Sequence, residues 1–191
     1  MDIEQAKLIV NEIFSLYERY GASDYIGEPV SQIEHMCQAA QLAEAENYDE
    51  EVILGAFFHD IGHLCEHLFS LGSMDGFGAI DHERLGGQYL RSKGFSEKIA
   101  RLVESHVSAK RYLTFKHPEY YDKLSEASKI TLEKQGGMMD EVEAHYFEMD
   151  HLHLLYIKLR HWDDRAKVQH VPLPSLDVYK QMALHHLTRQ N

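Results

Sequence analysis

The sequence predicts an all-α fold, and three observations lead there. Apolar residues recur at helical spacing along most of the 191-residue chain. No stretch sustains the period-2 alternation of β-branched residues that marks a strand. Gly21, Gly94 and the Gly136-Gly137 pair close periodic segments where helix stop signals are expected.

Taken in order, residues 3–20 place Ile3, Ile9 or Val10, Ile13, Leu16 and Tyr17 along one face, and Gly21 stops them. SDYIGEP follows as a loop. A second helix is predicted over 31–46 and a third over 49–65, apolar enough in its VILGAFF run to be central. HLFSLGSMDGFGAI, residues 67–80, carries three glycines and is the longest irregular stretch, suited to a lid or pocket wall. Helices resume over 81–93, ended by Gly94, and over 96–107, where Ser96 can act as N-cap. Residues 125–135 form another, closed by Gly136 and Gly137. Residues 140–165 contain helical material with Leu152, Leu155, Tyr156 and Leu159 on one side, and Pro174 starts a last helix toward His186. Without repeat, low-complexity tract or linker, residues 1–191 are expected to form a single domain, large enough for a core without staples.

Composition narrows the class. Hydrophobic residues make up 44% and charged residues 26%, the balance of a water-soluble globular chain. Cys37 and Cys65 both sit in apolar helical stretches and are expected as reduced buried thiols of a cytoplasmic protein. The N-terminus is amphipathic and acid-bearing, unlike a signal peptide, and no apolar run approaches a membrane span. With 31 acidic against 19 basic residues, the net charge of -12 repels nucleic acid and anionic membrane, so neither is expected as a partner. Any anionic substrate must then be met by a local cluster of cations. Nothing in the sequence sets the oligomeric state.

Histidine is the outlier, with 14 copies. His35, His59, His82 and His106 are 24, 23 and 24 residues apart, about one helix plus its connection. Successive helices can therefore each offer one imidazole to a common centre, as in bundle-core metal sites. His59-Asp60, within AFFHDIGH, is the sharper signal. Adjacent helical residues point about 100 degrees apart, so both reach one ion only where the helix lies across it. A carboxylate there can bridge two ions, and an Asp among Phe57, Phe58 and Ile61 is costly unless a cation neutralises it.

His35, the His59-Asp60 pair and the distal RHWDD run together resemble the HD-domain superfamily. There the distal ligand follows the Trp directly, which implies Asp163 rather than Asp164. His82 in IDHERLGG and His106 in ESHVSAKRY would serve a second metal. Along the whole chain, DYIGE, FFHDIGH, HVSAKRYL, LSEAS followed by TLEKQGG, and KLRHWD resemble a branch of mixed-valent diiron oxygenases. That branch is kin to myo-inositol oxygenase and includes the 2-amino-1-hydroxyethylphosphonate dioxygenases. The resemblance implies two iron ions, Fe(II) and Fe(III), with O2 as co-substrate. His35, His59, Asp60 and Asp163 would hold one ion, and Asp60 would bridge to the other, held by His82 and His106. Tyr25 and Glu28 match a loop pair that gates the site, the Tyr occupying an iron position until substrate displaces it. Ser128 and Gln135 match positions that bind the phosphonate.

The anion-binding side can also be argued from spacing. Lys110 follows His106 by one helical turn, and Arg160 precedes Asp163 by three residues with a fork suited to phosphonate oxygens. His63 lies four residues after His59 and would reach the same pocket. The reaction the resemblance implies is O2-dependent cleavage of the C–P bond of a small 1-hydroxyalkylphosphonate. Glycine would be released from a 2-amino substrate, or glycine betaine from its N-trimethyl analogue. Glu28 could pair with a primary ammonium, whereas a quaternary one would want aromatic faces. An HD-type phosphohydrolase of a nucleotide or small phosphate ester, and a non-enzymatic metal-binding sensor module, are the alternatives. The remaining nine histidines (His67, His117, His145, His151, His153, His161, His170, His185 and His186) are assigned to surface or structure. Met138-Met139 and Tyr120-Tyr121 are assigned to the core.

Overall fold

A computed structural model describes residues 1–25, 27–68 and 81–189, and the apolar stripes fold there as eleven helices with no named strand. α1 (Ile3–Tyr20) is capped by Asp2 and buries Val10, Ile13, Phe14 and Tyr17. α2 (Gln32–Ala45) starts from a Ser31–Glu34 capping box, and α3 (Glu50–Phe58) from Asp49. There follow α4 (Ile61–Cys65), α5 (His82–Ser92) and the long α6 (Glu97–Lys116) with Ser96 as N-cap. Then come α7 (Pro118–Lys123), α8 (Glu126–Lys134), α9 (Glu141–Met149), α10 (His153–Arg165) and α11 (Asp177–Arg189). The core is aromatic: Tyr17 stacks on Phe57 at 4.8 Å and Phe57 on Tyr179 at 4.4 Å, tying α1, α3 and α11 together. No described helix is long and apolar enough to cross a membrane.

Four boundaries differ from the periodic reading. The helix expected over 49–65 breaks at His59-Asp60, where Asp60 (φ -105°, ψ 14°) leaves the helical region. α6 continues past Val107 to Lys116, because neither glycine nor proline interrupts it before Pro118, which opens α7. Residues 140–165 divide at Asp150, whose carboxylate accepts from Leu152 N at 2.9 Å. The last helix begins at Asp177 rather than Pro174, with Ser175 Oγ accepting from Asp177 N at 3.3 Å. Most of the expected lid, residues 69–80, lies outside the described residues.

The side of the bundle that matters for chemistry is drawn tight by Gly62. A Cβ there would stand 1.8 Å from the His82 carbonyl oxygen, so only glycine lets α4 lie against the start of α5. The obstacle is backbone and cannot swing aside. Gly62→Ala is therefore expected to destabilise by about 3 kcal/mol, the upper end of overpacking costs, read as a lower urea midpoint at unchanged m-value.

Candidate metal centre and adjoining pocket

The helix break at His59-Asp60 faces both side chains into the bundle, where four other elements meet them. His35 comes from the first turn of α2, His82 opens α5, His106 lies midway along α6, and Asp163 is near the end of α10. All six are buried. Asp60 Oδ2 lies 3.5 Å from His35 Nε2 and 3.4 Å from His59 Nε2. Its other oxygen, Oδ1, lies 3.5 Å from His82 Nε2 and 3.3 Å from His106 Nε2. Asp163 Oδ1 joins the first group at 3.3 Å from His35 Nε2. One carboxylate thus stands between two histidine pairs, one oxygen toward each.

The donor set fits metal ions. His35 Nδ1 donates to Ala166 O, His59 Nδ1 to Ala56 O and His106 Nδ1 to Val103 O, each at 2.8 Å. A carbonyl can only accept, so these three rings carry their proton on Nδ1 and aim an Nε2 lone pair at the centre. With both rings neutral, His35 and His59 Nε2 face each other at 3.0 Å with no hydrogen between them, so the pair calls for a cation, either a metal ion or a proton. His82 and His106 Nε2 are also 3.0 Å apart. Asp60 Oδ2 and Asp163 Oδ1 are buried without any hydrogen-bond partner among the described residues, a costly state for charged oxygens that metal coordination would relieve. Burial opposes charge on His59, yet Asp60 outweighs it and lifts the imidazole to about 9. The cluster draws positive charge to itself.

His35, His59 and Asp163 offer ligand atoms within 4.8 Å of one another, and so do Asp60, His63 and His82. His63 is nearer the second group than its expected role in substrate binding required: its ring stacks on His82 at 4.0 Å and its Nδ1 meets Glu66 Oε1 at 3.1 Å. Burial, with His82 adding to it, lowers its pKa.

A cavity of about 280 Å³ opens beside the centre, bounded by Asp60, His63, His82, His106 and Asp163 on one side. Tyr25, Glu28, Lys110, Ser128, Gln135 and Arg160, all expected from the sequence, line the rest. Tyr25 stacks on His35 at 4.1 Å, and burial, then the Asp60 and Asp163 carboxylates, push its phenol well up. Its turn is closed by Tyr25 N on Val30 O and Glu28 N on Tyr25 O, through Gly27 at φ +80° packed against Ala127. Lys110 Nζ donates to Thr131 Oγ1 at 2.9 Å; burial, then Arg160, lowers its pKa to about 7. Arg160 gives one arm of its fork to Asp163 Oδ2 at 2.7 Å, another to Asp164 Oδ1, and its Nε to Tyr120 Oη at 2.9 Å. It orients a candidate ligand as well as facing the pocket.

Spacing did not point to Lys167, Thr131 or Tyr120. Lys167 is bonded to Glu28, 139 residues away, a pairing that no periodicity signals. Thr131 sits three residues after Ser128 on α8 and could have been found as its helical neighbour. Tyr120, assigned to the core, instead joins a polar network, donating to Asp164 Oδ2 at 2.6 Å. Cys37 and Cys65 are buried free thiols, each pushed up to about 12 by burial, as expected of inert core cysteines.

A buried His-Asp dipeptide at a helix break, met by histidines from neighbouring helices, defines a class of helical metalloproteins. The chain belongs to the HD-domain family, which matches residues 33–154 and so includes every candidate ligand except Asp163. The [1-hydroxy-2-(trimethylamino)ethyl]phosphonate dioxygenase (glycine-betaine-forming) of Leisingera caerulea is 42% identical over 83% of this chain and 80% of its own length. The hydroxymethylphosphonate dioxygenase of Gimesia maris is 38% identical over 89% of this chain and 84% of its own. An uncharacterized protein of Acanthamoeba polyphaga mimivirus is 43% identical over 98% of this chain and 85% of its own.

Wild-type protein should bind two metal equivalents by elemental analysis; Asp60→Ala should retain fewer than one, and His106→Ala should keep the equivalent held by His35, His59 and Asp163. Because the Lys110 ammonium is lost as pH rises through about 7, sulfate, whose own charge is constant, should bind more weakly at pH 8.5 than at pH 6. Calorimetry on Lys110→Met should find that pH dependence largely gone.

Proposed function

We propose that this chain is a diiron dioxygenase that cleaves the C–P bond of a small 1-hydroxyalkylphosphonate, such as 2-amino-1-hydroxyethylphosphonate or its N-trimethyl analogue. The observation that carries the reading is a carboxylate shared between two histidine pairs beside a cation-lined pocket. It is supported by kinship over most of the chain with two phosphonate dioxygenases. Iron ions held by His35, His59, Asp60 and Asp163 on one side, and by Asp60, His82 and His106 on the other, would supply O2 activation and electron transfer.

The protein's part is orientation and charge. Lys110, Ser128 and Gln135 would meet the phosphonate in the pocket beside the metal centre, and Arg160 would meet it while keeping Asp163 in place. His63, its Nδ1 committed to Glu66, leaves Nε2 to accept from the substrate hydroxyl. Tyr25 covers His35 until substrate enters, keeping water from that half of the centre. In the balanced reaction both atoms of O2 enter the products. The C1–P bond breaks, C1 becomes a carboxylate and phosphorus leaves as phosphate, so no external reductant is consumed. We assign the reaction to the cytoplasm, where Cys37 and Cys65 would remain thiols.

The test is O2 uptake and phosphate release by anaerobically iron-loaded protein given the 2-amino and N-trimethyl substrates in parallel. Phosphate appearing one-for-one with O2 consumed is expected. Phosphate released only from a phosphate ester, with manganese and without O2, would replace the oxygenase with a phosphohydrolase.

A further inference from the structure

Glu28 is already engaged. Its Oε1 accepts from the Lys167 ammonium at 2.6 Å and from the Ser125 hydroxyl at 2.5 Å. The carboxylate side chain is 7% exposed and the Lys167 side chain 14%, so this is a buried pair rather than a solvated surface bridge, with Glu28 lining the pocket and Lys167 behind it. Lys167 Nζ also approaches Ser128 Oγ, on the pocket's anion-facing wall, at 3.3 Å. Its backbone is well anchored, because the preceding residue, Ala166, is the one whose carbonyl accepts the hydrogen bond from His35 Nδ1.

A carboxylate this buried is costly without a counter-charge. Lys167 supplies one while the pocket holds no substrate. Any ligand ammonium that reaches Glu28 must displace Lys167 or sit beside a like charge. We infer that Lys167 is a specificity-determining residue, an internal competitor for Glu28 that sets how strongly the pocket favours a primary ammonium on the carbon next to the hydroxylated one. The inference rests on the phosphonate reading given above.

The competition separates three ligand classes by chemistry alone. A primary ammonium replaces both the charge and the hydrogen bond that Lys167 gives Glu28. A trimethylammonium replaces the charge from farther away and donates nothing. An alkyl group replaces neither and leaves the Lys167–Glu28 pair intact. Lys167 can also contribute to holding the phosphonate, but that contribution is common to all three and cancels in a ratio of affinities.

The experiment is calorimetric titration of the metal-loaded protein with 2-aminoethylphosphonate, its N-trimethyl analogue and ethylphosphonate. Wild type, Lys167→Met, Lys167→Gln, Lys167→Arg and Glu28→Gln are compared. Both neutral variants should raise the preference for 2-aminoethylphosphonate over ethylphosphonate at least tenfold, with a smaller rise for the trimethyl analogue. Lys167→Arg should restore the wild-type ratio, and Glu28→Gln should lower it. A merely structural lysine would weaken all three ligands together. An unchanged ratio in whichever neutral variant folds would overturn the inference. Because binding is read without turnover, that failure stays separate from failure of the oxygenase reading, in which phosphonates bind or not but no phosphate follows O2.

Discussion

Asp60 organises the molecule around it. Its two oxygens face two histidine pairs from a point where the backbone leaves the helical region. The break between α3 and α4 thus belongs to the centre rather than being a defect of the helix. So does the glycine at position 62, which allows the start of α5 to approach until its backbone would touch any side chain placed there. Gly86 and Gly87 extend that closeness to α6, which carries His106. Buried carboxylate oxygens without hydrogen-bond partners would cost several kcal/mol if nothing positive met them. The bundle is shaped to make that meeting possible.

Charge inside the pocket runs against charge outside it. The chain carries a formal net charge of -12, yet Lys110, Arg160 and Lys167 converge beside the centre. Each is held by something internal: Lys110 by Thr131, Arg160 by Asp163 and Asp164, Lys167 by Glu28. Pre-pairing keeps buried cations tolerable and fixes their direction before an anion arrives, which is what preorganised electrostatics requires. It also makes Arg160 answerable to two tasks, since the arm on Asp163 Oδ2 leaves Oδ1 to the metal side.

The convergence of the candidate ligands was legible because five of the six are chemically rare in their setting, Asp163 being singled out by the family pattern instead. A His-Asp pair among phenylalanines is costly without a cation, and four histidines at helix-length intervals can converge on one. Helix existence was legible too, from apolar spacing. What spacing could not reveal were features set by tertiary contact. Nothing at positions 59 and 60 breaks a helix by propensity, so the interruption is imposed by what surrounds it. Lys167 lies just beyond α10 and looks like an ordinary charge on a helix end until the fold brings Glu28 to it. Tyr120 likewise reads as core, because only the path of α7 carries its hydroxyl to Asp164 and Arg160.

The fold alone does not choose between redox and hydrolytic chemistry, since histidines and carboxylates hold iron, zinc or manganese alike. Groups in and behind the pocket wall are linked covalently, by hydrogen bonds or by ring stacking to the residues around the centre: Arg160 to Asp163, Lys167 through Ala166 to His35, Tyr25 by stacking on His35, and His63 by stacking on His82. A ligand that changes the partners of Arg160 or moves Tyr25 thereby acts on the surroundings of the candidate ligands themselves. Such coupling suits a reaction in which the centre should be opened to O2 only when substrate is present, because an exposed reduced centre would otherwise spend O2 unproductively. A hydrolase, whose attacking water is always at hand, has no comparable need to keep a tyrosine over a ligand histidine.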